Sequence, residues 1–290
     1  MLCGFLSAAL LGLYDVAKKA SLRDNAVMPV LFLNTLFCSL IFLPVLWTTD
    51  SGGWAVQRYI VLKGMIVLSS WLCAYFGMKH LPLTLVGPIN ATRPVMVLLG
   101  AILVFGERLN AFQWVGVMLS IVSFFLLSHS GRKENINFWH NRWIFCVVMG
   151  AALGAVSGLY DKYLMASPSD GGIGLNRLVV QGYYNFYQCI MMGVMLAVLW
   201  WPTRKRHTPF SWHWSIPLIS LFLSAADFIY FYGLSLDGVM VSVISLARRS
   251  SVVVSFLVAA LVFREKNLRS KVVDLALVLL GMLFLYLGTL

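Results

Sequence analysis

Ten stretches of about twenty apolar residues follow one another along the chain, at 2–19, 27–48, 58–79, 83–106, 110–130, 142–165, 176–201, 213–235, 239–263 and 271–289. A helix needs roughly 20 apolar residues to cross the hydrocarbon core of a bilayer. In lipid every backbone polar group must be bonded internally, and a helix does this within a single segment. The connections are short. The expected fold is therefore all-α: a polytopic membrane protein of ten transmembrane helices without extramembrane domains. The opening MLCGFLSAALLGLYDVAKKA lacks a basic n-region and its pattern recurs later, so it reads as a membrane helix rather than a leader.

Composition narrows the function classes. The chain has 290 residues, 60% hydrophobic and 11% charged, whereas soluble domains are about 45–50% apolar and about 25% charged. Its net charge of +11 falls mostly between the apolar runs, as in the cytoplasmic loops of membrane proteins. The expected partners are the lipid bilayer and a small-molecule substrate. Nucleic acid is not expected, and a homodimer is left open. The cysteines (Cys3, Cys38, Cys73, Cys146 and Cys189) lie in apolar runs without metal or disulfide spacing, and the five histidines are scattered at span edges and loops. No Walker loop is present. No enzyme chemistry, metal or cofactor is expected.

The two halves resemble each other. LLGLYDVAKK matches VSGLYDKYLM, FLNTLFC matches YYNFYQC, and PVLW matches AVLW; AYFG matches YFYG, ATR lies over ARR, and VFGER matches VFREK, all in the same order. Six collinear blocks indicate a duplication of five helices, residues 1–130 and 142–290, joined by a polar linker at 131–141. Five is odd, so the second copy enters the membrane from the opposite side. Inverted repeats place a substrate site near the bilayer midplane, where alternating access follows from exchanging the conformations of the two halves. Connections 1–2, 3–4, 5–6, 7–8 and 9–10, with their helix ends, hold 14 of the 22 Lys and Arg; the opposite side holds 5. The positive-inside rule makes the first side cytoplasmic and puts both termini outside.

Arg93, Arg248 and Arg249 remain. Arg93 and Arg249 are repeat mates, each ten residues into its span, or roughly 15 Å from the helix start. An arginine at that depth costs about 2.5–3.5 kcal/mol on the insertion scale, so it calls for water, a counter-charge or a ligand. Asp227 is the acid expected at comparable depth, either as a partner of Arg248 or as a proton site. Three cations against one acid suit an anion, and the planar guanidinium fork matches carboxylate or phosphate. Asn90, Thr92 and Ser245 are placed to complete the anion's hydrogen bonds. Asn34, Asn185, Tyr184, Gln188 and Tyr230 form a candidate amide and aromatic wall for the rest of the cargo. Tyr14-Asp15 and Tyr160-Asp161, repeat mates at the ends of spans 1 and 6, read either as gates meeting Lys18 or Arg177, or as interfacial anchors.

Ten spans in two five-helix halves, with Pro94 followed by Phe105-Gly106-Glu107-Arg108, resemble the EamA family of the drug/metabolite transporter superfamily. The second half keeps Glu265 but has Ser250 or Ser251 where the proline would fall. The resemblance implies secondary transport of small metabolites through a cavity lined by helices 1–4 and 6–9, with helices 5 and 10 bracing the halves. It also implies cytoplasmic termini, against the charge count. Basic residues on the fourth and ninth helices are similar to the phosphate-binding arrangement of organophosphate and nucleotide-sugar transporters of the superfamily. The expected function is thus secondary transport of a small anionic metabolite, phosphate-bearing by that resemblance, across the plasma (bacterial inner) membrane by exchange or proton coupling. The alternatives are export of amino acids or of aromatic or drug-like metabolites, and a protein handling polyprenyl phosphate or other lipids.

Overall fold

The computed structural model describes the chain except for residues 1, 49–51, 106–108, 133–139, 166–167, 207, 235–247, 249, 264–267 and 289–290. The described residues form α-helices, with short 3-10 and π turns and no strand. In order these are α1 (Leu2–Leu22), α2 (Val27–Thr48), α3 (Gly53–His80), α4 (Leu83–Ala91), α5 (Arg93–Phe105), α6 (Ala111–Arg132), α7 (Arg142–Met165), α8 (Arg177–Met195), α9 (Ser215–Leu234), α10 (Ser251–Val262) and α11 (Leu268–Leu287). Among the described residues, four segments are long and apolar enough to cross a membrane by length and composition: Val27–Thr48, Gly53–His80, Arg142–Met165 and Leu178–Trp200. At 1.5 Å per residue, the 21 residues of α1 and the 20 of α11 also reach about 30 Å.

The expected fourth span is two helices. α4 ends at Ala91 and α5 starts at Arg93, with Thr92 between them at φ −77°, ψ −6°. The cause is local. Pro94 has no amide hydrogen and fits only the first turn of a helix. Thr92 turns its hydroxyl onto the Ile89 carbonyl at 2.7 Å, and the amides of Val95 and Met96 take up the Thr92 carbonyl. α10 likewise starts after a turn, at Ser250, two residues beyond the repeat mate of Thr92.

Helices of the first half pack on helices of the second. α1 lies against α9 and α10, and in the same way its repeat mate α7 lies against their mates α3 and α5. α2 packs on its mate α8, and α6 on its mate α11. This is the pattern a two-fold axis in the membrane plane produces, and it bears out the inverted ten-span architecture. Two symmetry-related bundles result, one of α1, α9 and α10 and one of α7, α3 and α5, each drawing helices from both halves, while α4 packs on α10, α11 and α7. α2 and α8 run between them. Gly116 and Gly281 let α6 and α11 touch backbone to backbone: a Cβ on Gly116 would lie 2.7 Å from the Gly281 carbonyl oxygen. Small residues allow such close approach where lipid leaves helices little hydrophobic drive to associate.

Connections sort to two faces. Asn25 donates to the Ser211 carbonyl at 2.8 Å, Ser21 to Ser215 at 2.7 Å, and Lys79 to Thr208 at 2.9 Å, tying connections 1–2, 3–4 and 7–8 together. On the other face Asn110 donates to the Gly288 carbonyl at 2.6 Å, joining connection 4–5 to the end of α11. Three lysines depart from the expected loop positions. Lys18, Lys63 and Lys271 are buried, 4%, 3% and 0% exposed. Without them the two sides keep 12 of the 14 basic residues and 4 of the 5, so the asymmetry stands. Lys271 donates to Thr84 at 2.8 Å, and Asp274, one turn on, is a buried acid that sequence reasoning did not weigh.

Candidate functional site

One face of α7 organises the charged centre. Gly154, Ser157 and Asp161 are spaced three and four apart and so share that face. Lys63 of α3 reaches it, donating to the Ser157 hydroxyl at 2.6 Å and to Asp161 at 2.5 Å, with its ammonium 5.7 Å from the Tyr184 ring centre. Arg93 comes from α5 and lays its guanidinium on Gly154, so closely that a Cβ there would overlap the guanidinium carbon. Glycine is what makes the room. No described residue gives Arg93 a hydrogen bond or an ion pair; the ionisable groups whose field it feels are Tyr14 and Asp15 of α1, in the other bundle. Two cations thus arrive on one helix face with one carboxylate between them, and Arg93 is the surplus.

A second polar cluster lies where α8 and α9 meet the ninth span. Arg248 forms an ion pair with Asp227, and Gln181 donates to the other Asp227 oxygen at 3.3 Å. Of the two roles expected for Asp227, partner of Arg248 is the one the geometry displays. Around it are buried amides with unused hydrogen-bonding atoms: Asn34 Nδ2, Gln181 Oε1 and both polar atoms of Gln188, a residue with no exposed surface. Asn34 accepts weakly from the Cys38 thiol at 3.8 Å. Buried amide atoms are usually bonded, so this shelf is suited to water or cargo. Asn185, the repeat mate of Asn34, instead spends its amide on the Gln181 carbonyl at 2.9 Å.

At the end of α1, Asp15 pairs with Lys18 at 3.1 Å, and the Lys18 ammonium also reaches the Tyr14 hydroxyl at 3.3 Å and lies 4.4 Å from its ring centre. The mate Asp161 meets Lys63, from a different helix; the side chain of Arg177, its expected partner, lies outside the described residues. Tyr160 donates to the Tyr59 carbonyl at 3.3 Å. Asn90 has a buried side-chain oxygen without a partner. Thr92 serves the helix break. Arg249 and Ser245 lie outside the described residues, as does the side chain of Tyr230, whose backbone belongs to α9. The five cysteines are free thiols, and no metal-ligand cluster occurs among the described residues.

Sequence reasoning missed Lys63 as a site residue. The signal was present: in YIVLKGMIVL it is the only charge among nine apolar or glycine neighbours. Its distance from the start of the apolar run made it look like a helix-end charge, because α3 starts five residues earlier than the run suggests.

The model of the EamA-like transporter family matches residues 1–129. A protein of Pseudomonas aeruginosa named only as an uncharacterized transporter is 30% identical over 128 residues, 39% of this chain and 42% of its own length. An uncharacterized transporter of Archaeoglobus fulgidus is 26% identical over 136 residues, 44% of this chain and 48% of its own. The matched segment thus spans under half the length of these relatives. A solved crystal structure superposes with a TM-score of 0.58 at 18% identity, covering 98% of this chain and 94% of its own, and shares the fold.

Proposed function

We propose that this chain, which belongs to the EamA-like transporter family through residues 1–129, is a secondary transporter of a small anionic metabolite. Alternating access exchanges the conformations of the two symmetry-related bundles, and the cargo sits between them. The observation that carries the reading is Arg93: an intramembrane guanidinium at a helix break, without a described partner, one turn of α7 from the Lys63–Ser157–Asp161 cluster. An isolated cation at that depth is costly, and a bound anion offsets the cost. A phosphate ester fits better than a lone carboxylate, because a planar fork and an ammonium approach from two directions. Transport runs by exchange or with protons, in the plasma (bacterial inner) membrane. The 12-to-4 excess of basic residues supports a cytoplasmic placement for the face of connections 1–2, 3–4 and 7–8.

The test is a thermal-shift screen of the purified chain against sugar phosphates, dicarboxylates and amino acids, followed by counterflow in liposomes with the best hit. Stabilisation by a phosphate ester that falls at least about tenfold in affinity in Arg93→Ala is expected, given that a charge-assisted contact contributes about 1.5–3 kcal/mol. Stabilisation by amino acids or organic cations, and by no anion, refutes it. One observation favours that second reading: Arg248 is neutralised by Asp227. A neutral pair beside an amide shelf suits a zwitterionic or aromatic cargo, and the same screen separates the two.

A further inference from the structure

A cavity of about 490 Å³ opens at the basic face, between the start of α2, the end of α3 and the turn that follows α8. None of the charged groups of the central site lines it. Its interior is apolar, with Met28, Leu72, Phe76, Met195 and Leu199. Its rim is cationic and polar: Lys79, His80 and Thr208. Lys79 uses one of its three donors on Thr208, at 2.9 Å. His80 stacks on Trp143 with ring centres 3.6 Å apart, and its Nδ1–H donates to the Phe76 carbonyl at 2.9 Å, so Nε2 at the surface can donate to a phosphate as an imidazolium. Arg204 and Lys205 are exposed on the adjoining connection. The volume is that of a small-molecule site, about 300–1,000 Å³.

An apolar slot with a positive mouth at headgroup height matches an amphiphile of opposite pattern. The hydrophilic anion proposed as cargo would find no partner among those five apolar side chains. A neutral lipid would leave Lys79 and His80 unused. Basic pockets between membrane helices hold acidic headgroups by such complementarity. We infer that this crevice binds one anionic phospholipid of the surrounding leaflet, an acyl chain between α2, α3 and α8 and its phosphate at Lys79 and His80. The lipid is a resident ligand of the fold and is not carried. Seated between α2 and α3, it ties together two helices that pack chiefly on other neighbours.

The experiment is native mass spectrometry and thermal shift on the full chain with phosphatidylglycerol, phosphatidylcholine and water-soluble glycerol 3-phosphate. Phosphatidylglycerol is expected to bind at least about tenfold tighter than phosphatidylcholine and to raise Tm by several degrees, while glycerol 3-phosphate raises it by no more than a degree. Lys79→Gln with His80→Gln should abolish the headgroup preference and leave residual chain binding. Leu72→Trp, which fills the slot, should lose both; if it fails to fold, the rim variant still decides. Equal binding of the two lipids, a preference that survives the rim variant, or an equal shift with glycerol 3-phosphate overturns the proposal.

Discussion

At the scale of single residues, the centre turns on how each buried charge is answered. Lys63 is 3% exposed and answered by Asp161, whose side chain keeps 33% of its surface. Replacing Lys63 by Met leaves a half-buried carboxylate without its partner, which costs about 1–3 kcal/mol. The loss is limited because Asp161 still reaches water. The expected outcome is a Tm several degrees lower for Lys63→Met, with much of it recovered when Asp161→Asn is added. If the two losses simply add, the pair contributes no coupling and the α3–α7 contact rests on packing and its other hydrogen bonds. Arg93 differs in kind, because it has no described protein partner to lose. Its removal should therefore cost binding far more than stability, which is the mark of a ligand group.

At the scale of elements, close approach of helices is decided by glycines at specific heights. Gly116 faces Gly281 across the α6–α11 contact, where an added Cβ would meet backbone 2.7 Å away and the Leu285 side chain at 2.8 Å. Backbone cannot step aside as a side chain can. Gly116→Leu should force the two helices apart and cost about 1–3 kcal/mol, the usual penalty of overpacking, read as a drop in Tm in detergent. Gly158 is the control on α7: a Cβ there meets only Val97, at 3.9 Å. Gly158→Ala should leave Tm within a degree and, through helix propensity, even raise it. A Gly116→Leu variant as stable as the parent would mean that α6 and α11 do not brace the bundles. The helix break at Thr92 belongs to this scale too, since Pro94 and the Thr92 hydroxyl end one helix and start the next, and Arg93 stands at the join.

At the scale of the whole molecule, an even number of crossings places both ends of this chain on one side. The orientation proposed from the 12-to-4 distribution of basic residues has that side external. A periplasm-active alkaline phosphatase fused after residue 290 should be active, and a fluorescent protein inserted beside Lys205 should fluoresce. The reverse pattern would adopt the orientation that the family resemblance implies and overturn the charge count. Much of the architecture was legible beforehand for a physical reason. Bilayer thickness sets the length of each apolar run, and duplication writes itself in collinear blocks, so span number and inverted repeat are properties of the linear chain. The intramembrane arginines were legible too, because a charge in an apolar run stands out. Which charges answer one another was not. Lys63 reads like a helix-end cation until α3 is seen to start at Gly53; Arg248 reads equally as an anion ligand or as the partner of Asp227 until the two are seen side by side; and Gly154 carries no signal until Arg93 is laid on it. By itself the sequence determined how many times the chain crosses and where charge enters the membrane. Only the tertiary structure decided which cation is left over among the described residues, because pairing depends on the distance between helices that are far apart in the chain, and lipid, unlike water, gives an unpaired charge no alternative.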